Sequence, residues 1–188
     1  MKLIKLFSIL TIFSLVFASC SDSDPVPVNE EEVITTMKIV LTPNGGGNAV
    51  TIQSQDLDGD GPNVPVITPD PITLAANTTY SAVITLLNET ESPAGNVTDE
   101  VAAEAEEHQF FYSANGITGT FTYAGNNDSN GNPVGIQFTV ATGAAGTGAY
   151  TVTLKHEPNK SAAGVKDGDI TNAGGSTDIE VSFPITLQ

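Results

Sequence analysis

Beyond residue 32, apolar side chains recur at every second position in segment after segment, and this period most restricts what the chain can fold into. In the last segment Ile179, Val181, Phe183, Ile185 and Leu187 share one parity, while Asp178, Glu180, Ser182 and Thr186 share the other. Successive side chains of a strand point to opposite faces, so such alternation marks a strand with one buried and one solvated face. Pro184 has no N–H to offer a neighbour, which predicts an edge position there.

The same pattern recurs at Val33, Met37, Ile39 and Leu41, at Tyr80, Ala82, Ile84 and Leu86, at Val134, Ile136, Phe138 and Val140, and at Tyr150, Val152 and Leu154. Shorter candidates cover residues 49–55, 109–113 and 119–124. Turn-forming runs such as Asn44-Gly45-Gly46-Gly47 separate them. Many short strands punctuated by Gly, Asn and Pro predict a mainly β chain: a single antiparallel β-sandwich of immunoglobulin-like or jelly-roll-like type over residues 33–188. One segment breaks the period. Thr98 is a suitable N-cap, Asp99 and Glu100 suit a helix N-terminus, and Val97, Val101 and Ala105 recur every four residues. One short helix is therefore expected around residues 98–108.

The N-terminus carries a different signal. Lys2 and Lys5 precede an apolar run over residues 6–18, too short for a spanning helix and laid out as a secretory signal. Phe17-Ala18-Ser19-Cys20 puts small residues before the only cysteine of the chain and resembles a lipobox, with Phe17 where leucine is usual. Residues 1–19 are read as a lipoprotein signal peptide. Cys20 is the expected site of lipid attachment, and residues 20–32 form a linker holding Pro25, Pro27 and three consecutive glutamates. Ser21-Asp22-Ser23-Asp24 resembles the acidic export signal of outer-membrane lipoproteins. The expected location is therefore the outer membrane, on the cell surface, with the periplasmic face as the alternative.

Charge excludes one class of partner. With Lys2 and Lys5 removed, four lysines face 22 acidic residues, a formal charge of −18, and arginine is absent. Such a chain is repelled by phosphate backbones and has no guanidinium to read them, so nucleic acid is not an expected partner.

Two constellations could hold metal. Asp56-Leu57-Asp58-Gly59-Asp60-Gly61 sets carboxylates at alternate positions before a glycine, the first half of a calcium loop. The twelfth position, where a bidentate glutamate belongs, is Ile67. Asn126-Asn127-Asp128-Ser129-Asn130-Gly131 repeats the spacing with amides in place of two carboxylates. Both runs also suit plain β-turns. The second constellation is Glu104, His108 and His156. Glu104 and His108 would share a helical face, and His156 continues the inward parity of Tyr150, Val152 and Leu154. A carboxylate with two imidazoles suits zinc or another transition ion. Catalytic signatures are lacking: once Cys20 is modified there is no free thiol, and no Gly-x-Ser-x-Gly, His-Glu-x-x-His or Gly-x-x-x-x-Gly-Lys occurs.

Taken together, Asn29-Glu30-Glu31-Glu32-Val33-Ile34-Thr35-Thr36, Asp56-Leu57-Asp58-Gly59-Asp60-Gly61, Glu107-His108-Gln109-Phe110-Phe111-Tyr112, Leu154-Lys155-His156-Glu157-Pro158 and Gly174-Gly175-Ser176-Thr177-Asp178-Ile179-Glu180-Val181 resemble a group of small lipoproteins from Bacteroidota-type bacteria. Its members often carry the label "type 1 periplasmic binding fold superfamily protein". The label implies two α/β lobes with parallel sheets, whereas the residues of this chain predict one sandwich. The resemblance brings no ligand or catalytic residues with it. The expectation is a non-enzymatic, lipid-anchored binding or accessory module of the cell envelope that presents a ligand or metal to an outer-membrane transporter. The alternatives are a structural or adhesive surface protein with a calcium-stabilised loop and, more remotely, a metal-dependent enzyme. A pocket lined by Phe110, Tyr112 and His156 would favour binding.

Overall fold

The computed structural model describes residues 32–188 except Asp60 and Asn126. Cys20, the signal segment and most of the linker lie outside the described residues. The alternating segments become strands β1 (Thr36–Pro43), β2 (Val50–Gln55), β5 (Thr79–Leu87), β6 (His108–Asn115), β7 (Gly119–Ala124), β8 (Gln137–Thr142), β9 (Gly146–His156) and β10 (Ser176–Leu187). Two short strands, β3 (Val66–Thr68) and β4 (Ile72–Leu74), complete them. They form a six-stranded sheet in the order β3-β2-β1-β5-β8-β7 and a four-stranded sheet in the order β4-β10-β9-β6. All pairings are antiparallel except β4 with β10. The sandwich expected from the period is therefore what forms, and the two α/β lobes of the family label do not occur among the described residues.

The inward parity supplies the core. Met37, Ile39, Leu41, Tyr80, Ile84, Leu86, Phe138 and Val140 of one sheet face Ile72, Leu74, Phe110, Val152, Leu154, Phe183 and Ile185 of the other, all buried. Residues 134–136 stitch the layers: the Val134 carbonyl accepts from Phe110 N–H at 2.8 Å and the Ile136 carbonyl from Ile84 N–H at 2.9 Å. A smaller apolar cluster, Phe111, Val165 and Ala173, lies under the 157–175 loop on the outer face of the four-stranded sheet. Pro184 lies in a strand that is interior by sheet order. However, β4 joins β10 only from Ile185 onward, so at Pro184 one side of the strand has no ladder among the described residues. The missing N–H costs nothing there.

The helix α1 (Val97–Ala103) is shorter than the expected 98–108. Asn96 stands in the capping position without a side-chain cap, and Thr98 is not the cap. Its hydroxyl instead accepts the Leu86 N–H of β5 at 2.7 Å and pins the helix to the sheet, with Val97 and Val101 buried. The early end has an electrostatic reason. Glu104, Glu106 and Glu107 would load the negative end of the helix dipole with carboxylates, and no basic residue occupies the last turn. His108 is thereby freed to open β6, directly opposite His156 at the end of β9.

Candidate metal centre

His108 and His156 end their strands as register partners on the inward face, one step beyond the Phe110–Leu154 pair. Their rings meet edge to face with centroids 4.6 Å apart. The third strand contributes through an irregularity. Along β10 the pairing with β9 slips between Thr177 and Ile179, so that Lys155 opposes Thr177 and Leu154 opposes Ile179, leaving Asp178 as an extra residue. A β-bulge bends the strand and re-aims a side chain. Simple alternation assigned Asp178 to the solvent face with Glu180. The bulge turns it inward, and its side chain is 1% exposed beside both histidines.

The fourth member comes from the stretch read as linker. Glu32 lies four residues before β1, in the other sheet, and its side chain reaches across the end of the sandwich to the histidines with 7% exposure. Its Oε1 lies 2.7 Å from His108 Nε2 and its Oε2 3.6 Å from His156 Nδ1. Asp178 Oδ2 lies 3.7 Å from His108 Nε2 and Oδ1 3.8 Å from His156 Nδ1. One donor atom from each of Glu32, His108, His156 and Asp178 falls within 4.8 Å of every other. Ligand atoms about 2.0–2.1 Å from a tetrahedral zinc ion are about 3.3 Å apart, so drawing in the wider pairs and opening the 2.7 Å His108–Glu32 contact would close the set on one ion.

Hydrogen bonding fixes what the nitrogens can do. His108 Nδ1 lies 3.2 Å from the Glu104 carbonyl, which can only accept, so Nδ1 carries the proton. In a neutral ring Nε2 then presents a lone pair to the Glu32 and Asp178 carboxylates. Nε2 stands 2.7 Å from Glu32 Oε1, close enough for the two to share a proton or a metal ion. The contact is also not aligned as a hydrogen bond: His108 Nε2, Glu32 Oε2 and both His156 ring nitrogens are buried without a hydrogen-bond partner. Glu32 and Asp178 thus bring two carboxylates against the two imidazoles in a buried site. The Glu104 carbonyl is also the kind of outer partner that orients a ligating histidine.

The sequence-predicted trio is thus half assembled differently. His108 and His156 do meet. Glu104 contributes its backbone: its carboxylate is 4.0 Å from His108 Nδ1 and 53% exposed, on the wrong side of the ring to share an ion with Nε2. Glu32 and Asp178 take its place. Nothing local in the sequence marked either, because one is set by the path of the chain end and the other by a bulge.

No protein family, curated protein or solved structure matches the chain.

The two calcium-like loops differ from the cluster. Asp56 Oδ1 accepts the N–H groups of Asp58 (3.3 Å) and Gly59 (3.0 Å), and Asp58 Oδ2 accepts Asn63 Nδ2–H at 2.7 Å. That Asn63 bond holds the Asp58 carboxyl below its usual range. These carboxylates tie their own turn, Asp60 lies outside the described residues, and Ile67 is in β3. In the second loop Asp128 faces a cation that the chain provides. Lys160 Nζ donates to the Ala105 carbonyl at 2.5 Å, the Pro133 carbonyl at 3.2 Å and Asp128 Oδ2 at 3.4 Å. Burial pushes the Asp128 carboxyl up, but hydrogen bonds from Asn132 and Asn130 and the Lys160 charge together bring it below the ordinary value. Phe110 is wholly buried and Tyr112 stacks on Phe138 at 4.1 Å, so both fill the core instead of walling a pocket with His156.

Proposed function

We propose that this chain is a lipid-anchored, non-enzymatic module of the cell envelope that holds one divalent transition ion, zinc by preference, at Glu32, His108, His156 and Asp178. The observation that carries this reading is the convergence of two imidazoles and two carboxylates, buried and aimed at one another, with three of the four ring nitrogens making no hydrogen bond. Two nitrogens and two oxygens within 4.8 Å of one another are a donor set that suits zinc. Four protein donors leave no position for a substrate or an attacking water, as in closed sites that retain a metal. This favours binding over catalysis. Lipidation of Cys20 would keep the module at the membrane, where a held metal can be handed to a transporter.

Elemental analysis of the full chain, purified in detergent, tests the metal. About one zinc per chain is expected, with loss of the metal in His108→Ala and His156→Ala. A chain that retains no metal, and takes up none from micromolar zinc, would refute the reading. The intact mass of the same preparation tests the anchor, which predicts cleavage before Cys20 and added acyl mass on it.

A further inference from the structure

We propose that Glu32 is the displaceable ligand of this centre: it closes the site, and its release opens a coordination position through which the ion is exchanged with a small anionic or chelating ligand. The inference rests on the metal-binding reading above. The four donors are not held alike. His108, His156 and Asp178 project from β6, β9 and β10, three neighbouring strands of one hydrogen-bonded sheet. Glu32 belongs to no strand. Among the described residues, backbone hydrogen bonding of its segment to the sandwich begins at Thr35, whose N–H donates to the Leu87 carbonyl at 2.9 Å. Val33, next to Glu32, is 56% exposed. Ile34 packs against the core, so the carboxylate is the inward hold on Glu32 and Val33, ahead of it.

Without it, His108, His156 and Asp178 remain as a two-histidine, one-carboxylate face. A tetrahedral ion bound there keeps one open position. Glu32 spans both histidines, so lifting this single side chain uncovers the whole inner side of the centre. Rotation about the backbone of Glu32 and the exposed Val33, ahead of the core-packed Ile34, would suffice, with no ladder bond broken. The bound ion in turn would fix residues 32–34 to the end of the sandwich, so that occupancy of the centre sets where the chain leaves the domain toward Cys20.

The test uses the full chain loaded with cobalt(II), whose visible bands report coordination, with azide as the exogenous ligand and EDTA as the acceptor. Glu32→Ala is expected to keep cobalt, to shift its bands on adding azide, and to release the ion to EDTA at least tenfold faster than the unsubstituted chain, whose bands azide leaves unchanged. Hydrogen exchange at residues 33–35 should slow on metal binding in the unsubstituted chain and not in Glu32→Ala. Glu32→Asp, one methylene shorter, should release at an intermediate rate. Equal release rates and no azide response in either chain would overturn the proposal while leaving the metal site standing. Loss of all metal binding in a folded Glu32→Ala chain would overturn it too, by making Glu32 indispensable. If the unsubstituted chain takes no cobalt or zinc, the underlying reading fails instead.

Discussion

Replacing Lys160 with methionine should destabilise the domain by about 3 kcal/mol. The side chains of Lys160 and Asp128 are 5% and 1% exposed, and Nζ touches Asp128 Oδ2 at 3.4 Å as well as the carbonyls of Ala105 and Pro133. At an effective dielectric of 20, opposite charges at that distance attract by about 5 kcal/mol. Desolvation offsets much of this, which is also why burial lowers the Lys160 ammonium below its usual value despite the carboxylate beside it. Methionine keeps the apolar stem and removes the charge, leaving Asp128 as a buried anion. Breaking such a pair from one side costs about 3–5 kcal/mol. The lower end applies here, because Asp128 keeps hydrogen bonds from Asn130 N (2.9 Å), Asn132 N (2.8 Å) and Asn132 Nδ2 (3.1 Å). Urea unfolding followed by circular dichroism measures it. In the Lys160→Met background, Asp128→Asn should recover about 1–2 kcal/mol, since the orphaned charge disappears while an oxygen still accepts from the backbone. A single-variant loss under about 1 kcal/mol, or strict additivity of the pair, would show that the two groups do not depend on one another and refute the argument.

Three further outcomes follow from the site and its surroundings. Zinc at a hundredfold excess over its Kd should stabilise the domain by about 2.7 kcal/mol, raising Tm by about 5–11 °C over the EDTA-treated chain. His156→Ala should abolish the rise in a thermal scan, and equal melting with and without zinc would contradict the site. Glu104→Ala should leave zinc affinity within about twofold, because only the Glu104 carbonyl engages His108; Asp178→Ala should weaken it at least tenfold, and an indicator competition assay that ranks them the other way would restore Glu104 as a ligand. Burial raises the Tyr123 hydroxyl to about 12, against a lowering hydrogen bond from Gln109, and drives Tyr112 well above the ordinary value of 10. The Tyr123 contribution to stability is complete below pH 10 and is lost as pH rises through about 12, and that of Tyr112 is lost at a pH well above its ordinary value; phenolate absorbance should therefore lag in the folded chain and rise toward its unfolded profile in urea, and coincident titration curves would rule this out.

The period of two was sufficient for the sandwich because it is a local property: each strand announces its buried face through its own residues, and Met37, Ile84, Phe138, Val152 and Phe183 all went where their parity sent them. The same rule brought His156 inward. It could not say which strand would lie beside which, so the pairing of His108 with His156 was decided by sheet order. It misplaced Asp178, because a bulge is one extra residue judged against a partner strand and has no counterpart in the sequence read alone. Glu32 was invisible for a related reason, since a glutamate in an acidic run looks solvated until the path of the chain carries it over the end of the other sheet. The alternating residues by themselves determined a two-layered, mainly β domain. Only the tertiary structure, by bringing distant backbone segments to one end of that domain, decided that two imidazoles and two carboxylates share one buried space within reach of one another, the arrangement on which the proposed metal centre rests.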